Sequence, residues 1–345
     1  VASGTEGLTL GSITMSGNGV LDVVDGASAS TLVTVTGVVG GAFTLTKTGS
    51  GDMALNTVNT YSGDTTVSGG SLTIASAGSI ASANVTVSAG ATLSINGSLA
   101  SSVAISDSGV VNFAGNPGTS AFTRAVGTLN VQHGGSAVAL DSAFAMQAGV
   151  SQITTLTFAD TTAKLDLRNN ELIVNNALPA VRTQIILGEI FTTTAGGVIG
   201  YKDLGSGQTE ARYALRGDAN LDGTVDVSDL GALATSYGNS TGQLWVQGDF
   251  NNDGSVDVAD LGALASSYGV SLASGLQAAR LITAAAAATV ASPASAASAI
   301  PRTALSNDAV RTTSYWIAGA SPFGQNDRTV AWIFGDSRRD KLRPN

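Results

Sequence analysis

The chain has 345 residues, of which 43 are glycine and none is cysteine, and only 12% are charged and 5% aromatic. This length is enough for two or more domains, and the composition favours short strands and turns over a core of bulky side chains. The net charge of −9 excludes the basic surface of a nucleic-acid-binding protein, and the absence of cysteine excludes a disulfide framework. The longest uncharged run near the C-terminus, 281–301, is too weakly apolar for a membrane span.

Residues 1–176 contain short segments in which apolar and hydroxyl-bearing residues alternate, separated by turns rich in glycine, serine and asparagine. This alternation predicts strands with one buried face, for example at 32–35, 43–46, 71–74 and 92–95. Because the strands are short, regularly spaced and poor in aromatic residues, we predict a parallel β-solenoid over residues 1–176. A β-sandwich is the alternative architecture.

Within this region, residues 45–55 spell LTKTGSGDMAL and residues 59–72 spell NTYSGDTTVSGGSL. The two segments resemble the autotransporter-associated β-strand repeat, in which L-T-K-x-G-x-G and an apolar strand precede N-x-Y-x-G-x-T-x-V-x-x-G-x-L. The resemblance covers about 30 residues. It implies a β-helical, passenger-type segment of a large secreted bacterial protein.

The solenoid is expected to end near residue 176. Residues 164–174 predict a hairpin that turns at Asn169 and Asn170 and closes the solenoid. Residues 177–215 are predicted to form a transition segment, with one short helix near 181–187 and then a strand through Tyr213.

Two segments that lie 31 residues apart, 217–233 and 248–264, repeat each other almost letter for letter. Each places oxygen-bearing residues at positions 1, 3, 5, 7, 9 and 12 of a loop, with Gly223 or Gly254 at position 6. This is the spacing of an EF-hand calcium loop, in which position 7 contributes its backbone carbonyl and the glycine permits a sharp turn. Since the carboxylates of each loop repel one another without a cation, we predict two bound Ca²⁺ ions, one per loop. The predicted metal ligands are Asp218, Asn220, Asp222, Thr224, Asp226, Asp229, Asp249, Asn251, Asp253, Ser255, Asp257 and Asp260.

One helix is predicted after each loop, and no helical pattern precedes either loop. Gly238 and Gly269 are predicted to end these helices. Val225 and Val256, at loop position 8, are predicted to join the two loops in a short two-stranded contact. The predicted apolar faces of the helices consist of Val227, Leu230, Leu233, Ala234 and Tyr237 in the first copy and of Val258, Leu261, Leu264, Ala265 and Tyr268 in the second.

Position 12 is aspartate in both loops, where an EF-hand has glutamate. With this feature and the loop-then-helix order, residues 216–270 resemble a type I dockerin domain. The resemblance implies a small α-helical module with two calcium ions and a protein partner of the cohesin type, bound through hydroxyl and basic residues of the helices. The corresponding residues here are Ser228 and Ala259, and neither helix contains Lys or Arg. A surface polysaccharide is the other predicted partner.

Residues 271–345 are rich in alanine and serine at 274–300 and lack a regular period. We predict a low-complexity, disordered tail for this region.

Enzymatic residues are sparse in the predicted solenoid. Its single histidine, His133, lies in a glycine-rich turn, and a lone histidine there predicts a solvated loop residue. Asp160 and Asp166 come nearest to the paired carboxylates of a glycosidase. The sequence therefore predicts a non-catalytic secreted or cell-surface protein of mainly β fold, in which a solenoid displays a calcium-stabilised, dockerin-like module for attachment or assembly. The alternative is a carbohydrate-active β-helix enzyme that carries the same module.

Overall fold

The computed structural model describes residues 6–26, 30–100, 102–113, 123–139 and 150–272, and most of these residues lie in a stack of short parallel strands. Residues 273–345, which include nearly all of the predicted low-complexity tail, lie outside the described residues. In chain order the strands of the stack are β1 Glu6–Leu10, β2 Ile13–Thr14, β3 Gly19–Asp22, β4 Thr31–Val35, β5 Val39–Gly40, β6 Leu45–Thr48, β7 Asp52–Leu55, β8 Thr65–Val67, β9 Ser71–Ile74, β10 Ser79–Ile80, β11 Asn84–Val87, β12 Thr92–Ile95, β13 Ser98–Leu99, β14 Ala104–Asp107, β15 Val110–Phe113, β16 Thr123–Val131, β17 Ser136–Ala139, β18 Val150–Phe158, β19 Lys164–Asp166, β20 Glu171–Val174 and β21 Ile190–Phe191.

These strands form a parallel β-solenoid of about 7 turns. One face is a nine-stranded parallel sheet in the order β1-β4-β7-β9-β12-β15-β17-β19-β21. A second face runs parallel from β3 through β6, β8, β11, β14, β16 and β18 to β20, and short pairs such as β10-β13 lie at the third corner. The sandwich alternative is wrong, because a sandwich of this kind pairs its strands antiparallel.

The core is a set of columns in which equivalent residues of successive coils stack in register. Val35, Leu55, Ile74, Ile95 and Phe113 form one such column, and none of them is more than 1% exposed. Burying an aliphatic or aromatic side chain of this size stabilises the fold by about 1.5–3 kcal/mol. In β6, β9, β11 and β12 the threonine and serine residues that alternate with the core residues are more exposed than their neighbours, as the sequence pattern predicts.

One column of the second face contains two charged residues among valines, in the register Lys47–Val67–Val87–Asp107–Val131. The Lys47 ammonium donates to the carbonyls of Thr48, Gly49 and Gly69 at 2.9, 3.0 and 2.9 Å, so its buried charge is fully hydrogen-bonded. The Asp107 carboxyl group is less completely hydrogen-bonded. Its Oδ1 accepts from the Gly109 amide at 3.0 Å, whereas its buried Oδ2 has no hydrogen-bond partner.

The predicted hairpin at 164–174 is wrong. β19 and β20 belong to different sheets, and each pairs in parallel with the previous coil. The turn between them is an ordinary solenoid corner, in which Arg168 has φ +49° and the Asn170 amide donates to the Leu167 carbonyl. The side-chain alternation of the two strands is the same in a corner as in a hairpin, so the sequence pattern could not separate the two.

The end of the solenoid is closed further along the chain by an antiparallel pair, β22 (Val198–Gly205) and β23 (Gln208–Ala214). β23 pairs antiparallel with β20 on one side and with β22 on the other. The helix α1 (Leu178–Ile186) precedes this pair and buries Val181, which confirms the predicted helix and the predicted strand through Tyr213.

After β23 come α2 (Val227–Ser236), a 3-10 turn (Trp245–Gln247) and α3 (Val258–Ser267). We refer to residues 217–272, which contain the two repeated loops and these helices, as the loop-helix module. Among the described residues, no helix has the length and apolar character needed to cross a membrane.

Asp107 should make the stability of the solenoid depend on pH. Burial raises the pKa of this carboxyl from 3.8 to about 7, so the folded chain keeps a proton that the unfolded chain releases. The free energy of unfolding should therefore fall as the pH rises through this interval. Asp107→Asn cannot ionise, and it should be more stable than the wild type near pH 8, by up to about 4 kcal/mol, with little difference near pH 4.

Urea unfolding at a series of pH values measures this effect, with Asp64→Asn as the control because Asp64 is exposed on the same solenoid. An Asp107→Asn protein with the same pH dependence as the wild type would contradict the assignment.

Candidate calcium loops and their contact with the solenoid

Each repeated loop ends by capping the helix that follows it. The Asp226 carboxylate accepts from the Ser228 amide at 2.7 Å, and the Asp229 carboxylate accepts from the Asp226 amide at 2.8 Å, which together form a capping box. Asp257 and Asp260 make the same arrangement at the start of α3. The predicted ligands at loop positions 9 and 12 are thus placed by the local sequence, and the position 12 carboxylates are fully buried.

The first carboxylate of each loop is also buried beneath the loop backbone. The Asp218 oxygens accept from the amides of Asp222 and Gly223 at 3.1 and 2.9 Å. Burial, with the nearby negative charges of Asp229 and Asp222, raises the pKa of Asp218 to about 6. A group in this setting favours either a proton or a cation beside it.

Asp249, the first residue of the second loop, carries an unsatisfied atom. Its Oδ2 accepts from the Gly254 amide at 3.0 Å, whereas its buried Oδ1 has no hydrogen-bond partner. An isolated buried carboxylate oxygen is costly, and a hard cation is the ligand that satisfies it best. The donor set of the loop therefore fits calcium.

The middle positions form the same bonds in both loops. The Asn220 amide group donates to Asp222 Oδ2 at 2.9 Å, and the Asp222 amide donates back to Asn220 Oδ1 at 2.8 Å. Asn251 and Asp253 repeat both bonds at 2.8 Å. Gly223 and Gly254 have φ of +91° and +90°, as the sharp turn at position 6 requires.

The twelve predicted ligands lie in two loops that share these backbone turns and most of these hydrogen bonds. Within residues 6–272, apart from the undescribed gaps, no three His, Cys, Asp or Glu side chains lie together in a group that could hold a metal ion. The carboxylates accept from loop amides and helix N-termini. Calcium would be held by the predicted side chains together with the backbone carbonyls of Thr224 and Ser255, and it would supply charge neutralisation and no bond-making chemistry.

The predicted contact between Val225 and Val256 is wrong. The Val225 amide donates to the Val270 carbonyl at 3.0 Å, and the Val256 amide donates to the Asn239 carbonyl at 2.9 Å. Each loop is therefore paired with the chain that leaves the opposite helix. The pairing continues to Leu272, whose amide donates to the Gly223 carbonyl at 2.7 Å, so the contacts of the module extend beyond residue 270.

The predicted apolar helix faces are also wrong in part. Leu233 and Leu264 are buried, but Val227, Tyr237, Val258 and Tyr268 are between 51% and 71% exposed. The buried positions of α2 are 229, 233 and 236, and the apolar residues at its two ends lie outside this face. Gly238 and Gly269 have φ of +87° and +80° and end the helices as predicted.

We refer to α1, β20, β22 and β23, which lie at the last coil, as the solenoid end. Arg182 of α1 binds the second loop directly to it. One guanidinium nitrogen, Nη2, lies 3.0 Å from the Asn252 carbonyl and 3.2 Å from Asp249 Oδ2. The Nε–H donates to the Tyr201 hydroxyl at 3.0 Å, and that hydroxyl donates to Asn252 Oδ1 at 2.8 Å. Three elements that are distant in sequence therefore meet at one guanidinium.

Arg212 of β23 binds the first loop to the solenoid end in a similar way. Its Nη1 lies 3.4 Å from the Leu221 carbonyl, at the same loop position as Asn252. The same nitrogen lies 3.8 Å from Glu171 and 3.6 Å from Glu210, both of which are largely buried. This ion network joins β20, β23 and the first loop.

Trp245 fills the junction between the solenoid end and the loop-helix module. Its indole N–H donates to the Asp218 carbonyl at 2.7 Å, and its ring packs against Tyr201 and edge-on against Phe250. On the solenoid side, a Cβ at Gly200 would lie 2.9 Å from the indole, so only glycine permits this approach.

Sequence reasoning did not find Arg182, Tyr201, Arg212 or Trp245, because their partners lie up to 70 residues away. One feature of the sequence did indicate that the loops need a basic partner. Residues 217–272 contain eight aspartates and neither lysine nor arginine, so the positive charge that balances them must come from another part of the chain or from bound cations. Arg182 is the single charged residue of α1.

The two candidate catalytic carboxylates lie in different surroundings. Asp160 is exposed and accepts from Thr162, and its Oδ2 lies 2.6 Å from His133 Nδ1. Asp166 is buried at the end of β19, where the amides of Arg168 and Thr193 donate to it. The two groups have different partners and burial.

His133 and Asp160 with Thr162 also do not form a nucleophile triad. The Thr162 hydroxyl and the Asp160 carboxylate both contact the same ring nitrogen, Nδ1, at 3.2 and 2.6 Å. In a triad the nucleophile and the acid contact opposite nitrogens of the imidazole.

Comparison with known families gives one match. Residues 45–74 match the passenger-associated-transport-repeat, a repeat of autotransporter type, which confirms the resemblance seen at 45–72. This match and the solenoid fit a secreted or surface β-helical protein. No dockerin family model matches the chain. No curated protein and no solved structure matches it.

Gly200→Ala tests the close approach between the solenoid end and the loop-helix module. The added methyl group would overlap Trp245 and Leu221, and we expect a loss of about 1–3 kcal/mol in the free energy of unfolding. Thermal or urea unfolding of the full chain measures this loss.

The matched control is Gly231→Ala in α2, where the added methyl group has no neighbour within 4 Å and should be neutral or slightly stabilising. Equal effects of the two substitutions would show that Gly200 is not at a packed junction.

Proposed function

We propose that the protein is a non-catalytic secreted or cell-surface protein in which two Ca²⁺ ions stabilise a dockerin-like module at the end of a β-solenoid. The module serves attachment to a partner. The single observation that supports calcium most strongly is the buried Asp249 Oδ1, which has no hydrogen-bond partner in a loop of EF-hand spacing.

Charge balance supports the same proposal. Each loop holds four aspartates, and the loop-helix module contributes no basic side chain. The position 1 and position 12 carboxylates of both loops are buried, where their mutual repulsion is poorly screened by water. Two divalent cations would cancel half of this charge, so calcium binding and the stability of the module should be linked.

The attachment surface proposed here is the outer side of α2 and α3. Val227 is the first residue of α2 and Tyr237 directly follows the helix, and both are exposed. Val258 and Tyr268 are exposed at the same positions of α3. Large apolar residues exposed in equivalent places on two helices favour a protein partner, such as a cohesin-like module, over a polysaccharide. Since neither helix contains Lys or Arg, recognition would depend on apolar contacts.

Calcium titration of the full chain by isothermal calorimetry should give two bound ions. Asp222→Ala and Asp253→Ala should each remove one ion, because these residues are the position 5 ligands and lie at the outer side of their loops. Asp203→Asn removes an exposed acid outside the loops and should leave both ions bound. The absence of binding at millimolar calcium would refute the proposal.

Attachment is tested by a pull-down from envelope and extracellular fractions with the full chain. A protein partner should be captured by the wild type in calcium, and its capture should be lost with a chelator or in the Tyr237→Ser, Tyr268→Ser double variant. Capture of polysaccharide alone would favour the other class of partner. Capture that is unaffected by both the chelator and the double variant would exclude the helices as the attachment surface.

A further inference from the structure

The two loops have nearly the same sequence but different surroundings. In the second loop, Asp249 accepts from Arg182, and the separation of 3.2 Å makes an ion pair. In the first loop, both oxygens of Asp218 accept from loop amides, and within the described residues Asp218 has no ion-pair partner. Arg212, which approaches the first loop, is paired with Glu171 and Glu210 of the solenoid end.

We infer that Arg182 acts as a built-in counter-ion of the second loop, so that the two loops bind calcium with unequal affinity and the first loop fills first. This inference rests on the proposed calcium binding. In this inference Arg182 is a permanent positive charge beside a calcium site. It positions the second loop and offsets part of the negative charge of that loop.

The contacts of Arg182 hold its guanidinium group beside the second loop. Its guanidinium donates to the Asn252 carbonyl and, through Nε, to Tyr201, so the group is held in place independently of Asp249. Asp249 is fully buried and Arg182 is largely covered, so water screens their attraction only weakly. The arginine contacts Oδ2 and leaves Oδ1 of the same carboxylate without a partner, available to a second cation.

The consequence for affinity follows from charge. Each loop contains four aspartates, but in the second loop Arg182 offsets one negative charge before an ion binds. Without calcium, the carboxylates of the second loop therefore repel one another less than those of the first loop. Calcium binding then relieves less repulsion in the second loop and releases less free energy there. A cation close to the bound ion also repels it. Both effects weaken the second loop relative to the first.

The affinities of the single loops are measured by calorimetry on the full chain. Asp222→Ala leaves only the second loop competent, and Asp253→Ala leaves only the first. We expect the dissociation constant of the second loop to exceed that of the first by about tenfold or more. These two variants leave Arg182 intact, so this arm does not depend on the folding of an arginine variant.

Arg182→Gln is then added to each background. It should tighten the second loop about tenfold and leave the first loop unchanged. Arg182→Lys should retain most of the wild-type weakness, because it keeps the charge. The control, Lys164→Gln, removes one positive charge from β19, where Lys164 donates to the Gly188 carbonyl at 2.7 Å, and should change neither affinity.

A second readout separates charge balance from simple packing. Arg182→Gln should lower the melting temperature of the calcium-free protein more than that of the calcium-saturated protein, because bound calcium replaces the missing charge. Two ions of equal affinity, or an equal loss of melting temperature in both states, would overturn the inference and leave the proposed function intact. The absence of any calcium binding would overturn both.

Discussion

The last coil of a parallel solenoid always has one side that no further coil covers, however many coils the solenoid contains. Each coil buries its inward side chains against the next coil, so the final coil exposes apolar residues and a row of unpaired peptide groups. Here β23 runs antiparallel to β20 and supplies the missing backbone partners. α1, β22 and the loop-helix module cover what remains, and Trp245 is completely buried in that cover.

Covering this end brings charged groups into the interior. Arg212, Glu171 and Glu210 are largely buried together, and such groups are tolerated only when they are paired and hydrogen-bonded. Their contacts join β23 to β20 and to the first loop. Arg182 and Tyr201 join the second loop to α1 and β22 in the same way. The module is therefore a packed part of the solenoid end, and an excised segment beginning at residue 216 would lose Arg182, Tyr201 and Gly200.

Much of the fold could be predicted from local pattern. The period-two alternation and the regular turns indicated the solenoid, and the repeated loop spacing indicated the position of every candidate ligand. The failures have a common cause. The hairpin at 164–174, the pairing of Val225 with Val256 and the inward face of α2 each depend on which distant segment lies alongside. A strand alternates in the same way in a corner and in a hairpin, and the sequence does not specify that the backbone of Val225 bonds to Val270 and not to Val256.

The sequence by itself determined the elements whose information is local: short strands with one apolar face, two acidic loops of fixed spacing, and helices that follow the capping residues Asp226 and Asp257 and end before Gly238 and Gly269. It also determined that eight aspartates near these loops lack a basic partner within their own segment. Only the tertiary structure decided where positive charge would come from. Arg182 reaches Asp249 across 67 residues, and no local pattern specifies a contact that forms only after the solenoid end has closed.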